Sequence, residues 1–157
     1  PIIMMIIKLV GVISYAHFLL LQDPYQQYRV WIKSYTWKHE GLRCSPILIM
    51  TDVSGPSEPI LTSLSCKSTS TMQLEWNRPT QYFNNVDSYY ILYKPFSDAA
   101  FHEIEVVVND KSSTSADITN LDINLEYQIQ LQGGSRSIYD AKIIYRGRLT
   151  KLRSVRM

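Results

Sequence analysis

A chain of 157 residues, 45% hydrophobic and 19% charged, holds apolar material for one core of about 100 residues plus an incomplete remainder. Its formal net charge of +2 is too small to point to nucleic acid, and the basic residues are scattered until Lys151, Arg153 and Arg156. Two cysteines, Cys44 and Cys66, make neither a dense disulfide framework nor a four-ligand zinc site, and both are read as unpaired.

Eleven tyrosines and three tryptophans against six glycines fit a β-rich protein, because aromatic and β-branched side chains suit a pleated, half-buried surface. Residues 1–23 form an apolar segment, nearly continuous from 1 to 21 and interrupted by Lys8 and His17. Three readings fit it. A membrane-spanning helix needs roughly 20 apolar residues, but Lys8 makes insertion costly. A signal segment would start at Met4 or Met5, with Lys8 as its basic end. Buried strand material, or an artefact at the edge of a gene model, is the third. With proline first, the chain reads as a fragment.

From Pro24 the pattern sharpens. Residues 28–35 alternate in character with period two and predict a strand with one face on a core. Lys38, His39, Glu40 and Gly41 supply a polar turn, and residues 46–51 a second strand, so the pair reads as a hairpin. Residues 24–53 are therefore expected to be the C-terminal strands of a truncated module. An exposed linker over residues 52–59 follows, its ladder ended by Pro56 and Pro59.

Residues 54–150 read as a complete module. Strands are expected over 60–66, 71–76, 87–94, 101–108, 115–118, 127–131 and 142–145, with Gly133 and Gly134 as a turn between the last two. Residues 151–157 read as the start of a further linker. Seven short strands, each apolar on one face, call for an all-β sandwich.

The chain also echoes itself. Leu121 leads into a turn and Tyr127 opens an alternating strand; Leu21 and Tyr28 do the same about 100 residues earlier, the spacing of one sandwich. Such a tyrosine packs its ring in the core and returns its hydroxyl to a backbone group upstream.

With a proline at 59, a tryptophan ending the second strand at 76, an aromatic third strand from Tyr89 to Tyr93, and the Leu121–Tyr127 corner, the chain resembles the fibronectin type III family. The resemblance implies an immunoglobulin-like β-sandwich of seven antiparallel strands preceded by a partial copy, with Trp76, Tyr89, Leu121 and Tyr127 as its structural core. Two positions depart from the pattern. Ile123 stands where the family has proline, and the first leucine-to-tyrosine interval is one residue too long. Within the family, WIKSYTWKHEG followed by TDVSGPSEP and SYYILYK is most similar to repeats of insect receptor-type tyrosine phosphatases. Receptor tyrosine kinases and immunoglobulin-type adhesion molecules come next.

No chemistry is apparent beside this. Catalysis would need a nucleophile with a base, paired carboxylates in a pocket, or a metal cluster. His17, His39 and His102 are not at ligand spacing. Asp87, Glu103, Glu105 and Asp117 read as the solvated face of a sandwich. No Asn-x-Ser/Thr acceptor, Arg-Gly-Asp tripeptide or Trp-Ser-x-Trp-Ser pattern occurs. Catalytic, cofactor-binding and metal-binding residues are therefore all expected to be none.

The candidates for recognition are loop residues of hot-spot type: Tyr35, Trp37, Lys38 and His39 in the first hairpin, and Arg136, Tyr139 and Lys142 in the second. Trp37 packing against a neighbouring module is an equal alternative. The resemblance thus implies an extracellular spacer and protein-binding module of a single-pass cell-surface receptor or adhesion protein. Its partners would be a protein ligand or neighbouring modules, with no nucleic acid. Membrane contact would come only from outside this stretch or weakly through residues 1–21. The alternatives are a passive repeat of an intracellular structural protein, or an accessory domain of an enzyme whose catalytic part lies elsewhere.

Overall fold

Alternation of apolar and polar residues becomes paired strands on both sides of Asp52. The computed structural model describes residues 23–35, 38–109 and 114–157, and its described elements are all β-strands. The apolar segment before Asp23, Leu21 of the first corner, and Trp37 lie outside the described residues. The chain divides into two units, Pro1–Asp52 and Val53–Met157.

In the first unit, β1 (Gln27–Val30) pairs antiparallel with β4 (Ile47–Met50), and β2 (Lys33–Tyr35) with β3 (Glu40–Arg43). The single strand expected over 28–35 is broken. Val30 faces Ile47 and Lys33 faces Arg43, so Trp31 and Ile32 stand opposite three residues, Cys44 to Pro46. Pro46 has no N–H to give the ladder, and the extra residue is absorbed as a local irregularity. Ile32 and Cys44 keep the halves joined: the Cys44 N–H donates to the Ile32 carbonyl at 2.9 Å.

The second unit is a two-layer sandwich. One sheet has the order β5 (Ile60–Ser68), β6 (Thr71–Asn77), β9 (Ser115–Ile118). The other places β7 (Ser88–Pro95) between β8 (His102–Val107) and β10 (Glu126–Arg136); β10 also carries β11 (Ile144–Arg146) and β12 (Arg153–Arg156). Met72, Leu74 and Trp76 alternate inward from β6 and meet Tyr89 and Ile91 of β7 and Tyr127, Ile129 and Leu131 of β10. Each such side chain contributes about 1.5–3 kcal/mol by leaving water. Trp76 sits edge-on to Tyr89, ring centroids 5.1 Å apart, at the centre of this layer.

Three expectations require correction. Residues 52–59 are not an exposed linker: Val53, Pro56 and Pro59 are buried. The Pro56 carbonyl accepts the Arg148 N–H at 3.0 Å, and Ser57 donates its N–H to Gln81. The backbones cross so closely that a Cβ on Gly55 would lie 2.2 Å from the Arg146 carbonyl oxygen. Pro56 and Pro59 serve here as apolar lids that need no ladder partner.

Gly133 and Gly134 are not a turn but the interior of β10, opposite Tyr89 and Ser88. A Cβ on Gly134 would come within 3.0 Å of the Tyr90 ring and 2.8 Å of Ile144, so the missing side chain leaves room for both. Residues 151–157 are not the start of a linker. Arg153–Arg156 forms β12, with Val155 facing Tyr127.

Candidate protein-binding surface

The loop between β10 and β11 is built from short polar side chains that fold back on their own backbone. Its base is fixed from the segment just before β7: Asp87 Oδ2 accepts the Arg136 N–H at 2.7 Å, and the Asn85 carbonyl accepts the Ser135 hydroxyl at 2.6 Å. Ser137 Oγ accepts the N–H groups of Tyr139 and Asp140, both at 3.1 Å. Asp140 Oδ1 takes the Lys142 N–H at 2.9 Å, and the Ile143 carbonyl takes that of Ser137 at 3.0 Å. This is the turn chemistry for which Ser and Asp are suited.

On that frame Tyr139 is 66% exposed, and Ile138 and Ile143 are exposed beside it. A self-bonded loop carrying a tyrosine and two isoleucines can present apolar contact area with little ordering cost. Arg136 has a different role from Tyr139. Its guanidinium donates to the Ala141 carbonyl, so the side chain braces the loop from within.

On the outer face of the same sheet, Arg146 lies 3.9 Å from the Tyr90 ring centroid and grips Glu103 with both guanidinium nitrogens, at 2.6 and 2.8 Å. Glu105 Oε1 accepts hydrogen bonds from Ser88 Oγ at 2.8 Å and from the Tyr90 hydroxyl at 3.0 Å. These bonds hold the Glu105 carboxyl below its ordinary 4.5, while burial and then Glu105 push the Tyr90 phenol above 10.0. The bond to Glu103 likewise raises Arg146. Both carboxylates are thus committed to tying β8, β7 and β11 together, and neither is arranged as a general acid or base.

The core residues Trp76, Tyr89, Leu121 and Tyr127 lie together in the buried cluster of the second unit. The Tyr127 hydroxyl accepts the Asp122 N–H at 2.9 Å, and in the first unit Tyr28 accepts that of Asp23 at 2.9 Å. Of the first-hairpin residues, Tyr35 ends β2, Lys38 and His39 are exposed, and Trp37 is undescribed. They belong to a different unit from Arg136 and Tyr139. His102 lies against the Tyr93 ring, centroids 5.5 Å apart. Among the described residues no group of three or more His, Cys, Asp or Glu could hold a metal, and no helix is long and apolar enough to cross a membrane. Cys44 and Cys66 are free and exposed.

Sequence reasoning missed Ile138 and Ile143 as part of the surface, and Arg146 with Tyr90 as a unit. The available signal was the period of β7: with Tyr89 and Ile91 inward, Tyr90 must face the other way.

Comparison with known proteins places these features in a family. A model of the Fibronectin type III domain matches residues 55–140. The chain is 30% identical over 135 residues to Tyrosine-protein phosphatase 99A of Drosophila melanogaster, with 85% of this chain and 10% of that protein covered. It is 31% identical over 134 residues to the putative receptor-type tyrosine-protein phosphatase mosPTP-1 of Aedes aegypti, with the same coverage. The chain thus spans about a tenth of the length of these relatives. Its fold matches the crystal structure of the chicken CNTN1 FN1–FN3 domains with a TM-score of 0.56, 22% identity, and coverage of 91% of this chain and 47% of that one. The matched module is a non-catalytic one, and with more than half of its length in that match the chain belongs to the fibronectin type III family.

Proposed function

We propose that this chain is an extracellular spacing and protein-binding segment of a multi-domain cell-surface receptor or adhesion protein. In this reading residues 54–157 are one complete module and residues 24–53 the C-terminal strands of the module before it. The equal five-residue reach of Tyr28 to Asp23 and of Tyr127 to Asp122 supports the pairing of the two units as repeats. Ile47 and Ile49, exposed on β4, then belong to the face that the earlier strands of the first module cover.

The observation that carries the binding role is the loop of residues 137–143, internally bonded and displaying Tyr139. An ectodomain containing these residues, multimerised and applied to live tissue that expresses its receptor class, is expected to stain cell surfaces. Tyr139→Ala combined with Ile143→Ser should abolish that staining while leaving the circular dichroism and melting curve intact. Staining that survives the double variant overturns the loop assignment.

The exposed free thiols of Cys44 and Cys66 favour a second reading, an intracellular repeat used as a passive spacer, since reducing compartments tolerate such thiols. Labelling of intact cells with a membrane-impermeant amine reagent separates the two, and only the receptor reading predicts labelled protein.

A further inference from the structure

The loop of residues 137–143 stands on a relay of side chains that begins beyond the opposite sheet's central strand. Arg78 follows β6, which lies between β5 and β9. Its guanidinium donates through Nη2 to Asn85 Oδ1 at 3.1 Å, Asn85 Nδ2 donates to Asp87 Oδ1 at 3.3 Å, and Asp87 Oδ2 accepts the Arg136 N–H at 2.7 Å. Arg78, Asn85 and Asp87 are all half-buried. Both ends of the relay are anchored. Arg78 lies 5.5 Å from the Tyr82 ring centroid and approaches the Tyr89 hydroxyl in the core. The Asp87 N–H donates to the Gly134 carbonyl at 2.8 Å, and the Asp87 carbonyl accepts the Val108 N–H at 2.9 Å.

Asn85 supplies what its two neighbours cannot. A guanidinium only donates and a carboxylate only accepts, so the group between them must accept on one side and donate on the other, as an amide does. The same two neighbours fix which way that amide faces. The Asn85 backbone is committed as well: its N–H donates to the Phe83 carbonyl at 2.9 Å, and its carbonyl accepts the hydroxyl of the fully buried Ser135 at 2.6 Å. Asn85 thus holds Ser135 directly and Arg136 through Asp87, the last two residues of β10 before the loop.

Resting on the reading of this loop as the binding surface, and deepening it, we infer that Asn85 is its positioning residue, coupling the footing of the loop to Arg78, so that the pose of Tyr139 is set from outside the loop. A loop whose base is tied across both sheets has less freedom left to lose when a partner binds.

The test reverses the polarity of the relay. Asn85→Asp sets two carboxylates against each other, and Asp87→Asn turns an NH2 group toward that of Asn85. The double variant carries the same charges in exchanged places and re-forms every link: the carboxylate at 85 accepts from Arg78 and from the amide at 87, whose oxygen keeps the Arg136 N–H. In the full chain, hydrogen exchange at the Arg136 amide is expected to quicken severalfold in each single variant and to return to the parent rate in the double, with the Ile129 amide unchanged as the reference for global opening. Cell staining is expected to fall and recover in the same order. Arg136 exchange unchanged in both single variants overturns the inference, as does a double variant no better than the worse single one. Equal quickening at Ile129 in all three variants overturns it too, by assigning Asn85 to general stability. The exchange measurement needs no ligand, so failure of the binding reading, seen as staining that survives Tyr139→Ala with Ile143→Ser, is a separate result.

Discussion

The hydroxyl of Tyr127 accepts the backbone N–H of Asp122 at 2.9 Å, five residues upstream, and thereby closes the corner that leads into β10, the longest of the described strands. The ring is buried in the core beside Leu121, so one side chain both fills space and satisfies a donor that the turn would strand. Tyr127→Phe keeps the packing and removes the acceptor. It is expected to cost about 1–3 kcal/mol, because a partly buried N–H is left unmade. Urea titration followed by tryptophan fluorescence measures this, and an unchanged midpoint would show that water replaces the hydroxyl without loss.

Trp76 and Tyr89 meet edge to face, and the Tyr89 hydroxyl is approached by the Arg78 and Trp76 side chains without a well-aligned hydrogen bond to either. The two residues should therefore respond differently to truncation. Trp76→Ala is expected to cost about 3–5 kcal/mol, a large share of a typical module's stability. Tyr89→Phe removes a buried hydroxyl with no well-aligned partner and is expected to change stability by no more than about 1 kcal/mol. Burial first of all raises the Tyr89 phenol above 10.0, an effect Arg78 partly offsets, so the group stays protonated near neutrality. Thermal melts of both variants check the pair.

Gly147 is required by a close approach: a Cβ there would lie 2.1 Å from the Pro56 carbonyl oxygen, a backbone atom that cannot swing aside. Gly147→Ala is expected to cost about 1–3 kcal/mol, and to weaken protection of the Arg148 amide, whose N–H bonds to that same carbonyl. Hydrogen exchange at Arg148 distinguishes this from general destabilisation.

Glu105 makes stability depend on acid. Its carboxyl is lowered by the hydrogen bonds from Ser88 and Tyr90, so it favours the folded state fully above its unfolded value of 4.5 and loses that contribution as pH falls through the lower folded value. Glu105→Gln should thus be less stable than the parent near neutrality, with the gap closing in acid. Guanidinium midpoints from about pH 7 down to about pH 3 test this, and a gap that widens in acid contradicts it.

Much of this molecule was legible from local patterns. Met72, Leu74 and Trp76 are two apart, as are Tyr127, Ile129 and Leu131, and a period of two places each set on one face wherever the strand lies. The corner tyrosines could be found because ring, turn and spacing are sequence-local. The lengths of strands were less legible. Strand β10 runs on through Gly133 and Gly134, residues whose local preference is for turns. There Pro56 and Val86 crowd the place of a side chain on Gly133, and Tyr90 and Ile144 that of one on Gly134.

By itself the sequence determined the sandwich and its core tryptophan, since both follow from periodicities within short stretches. Only the tertiary structure decided that residues 53–59 are part of the second unit rather than a tether, because their burial depends on the Arg146–Arg148 backbone some 90 residues away. It alone also drew the boundary between Arg136, which braces its loop, and Tyr139, which faces outward. The first depends on which distant backbone groups arrive within hydrogen-bonding reach, and no window of local sequence carries that information.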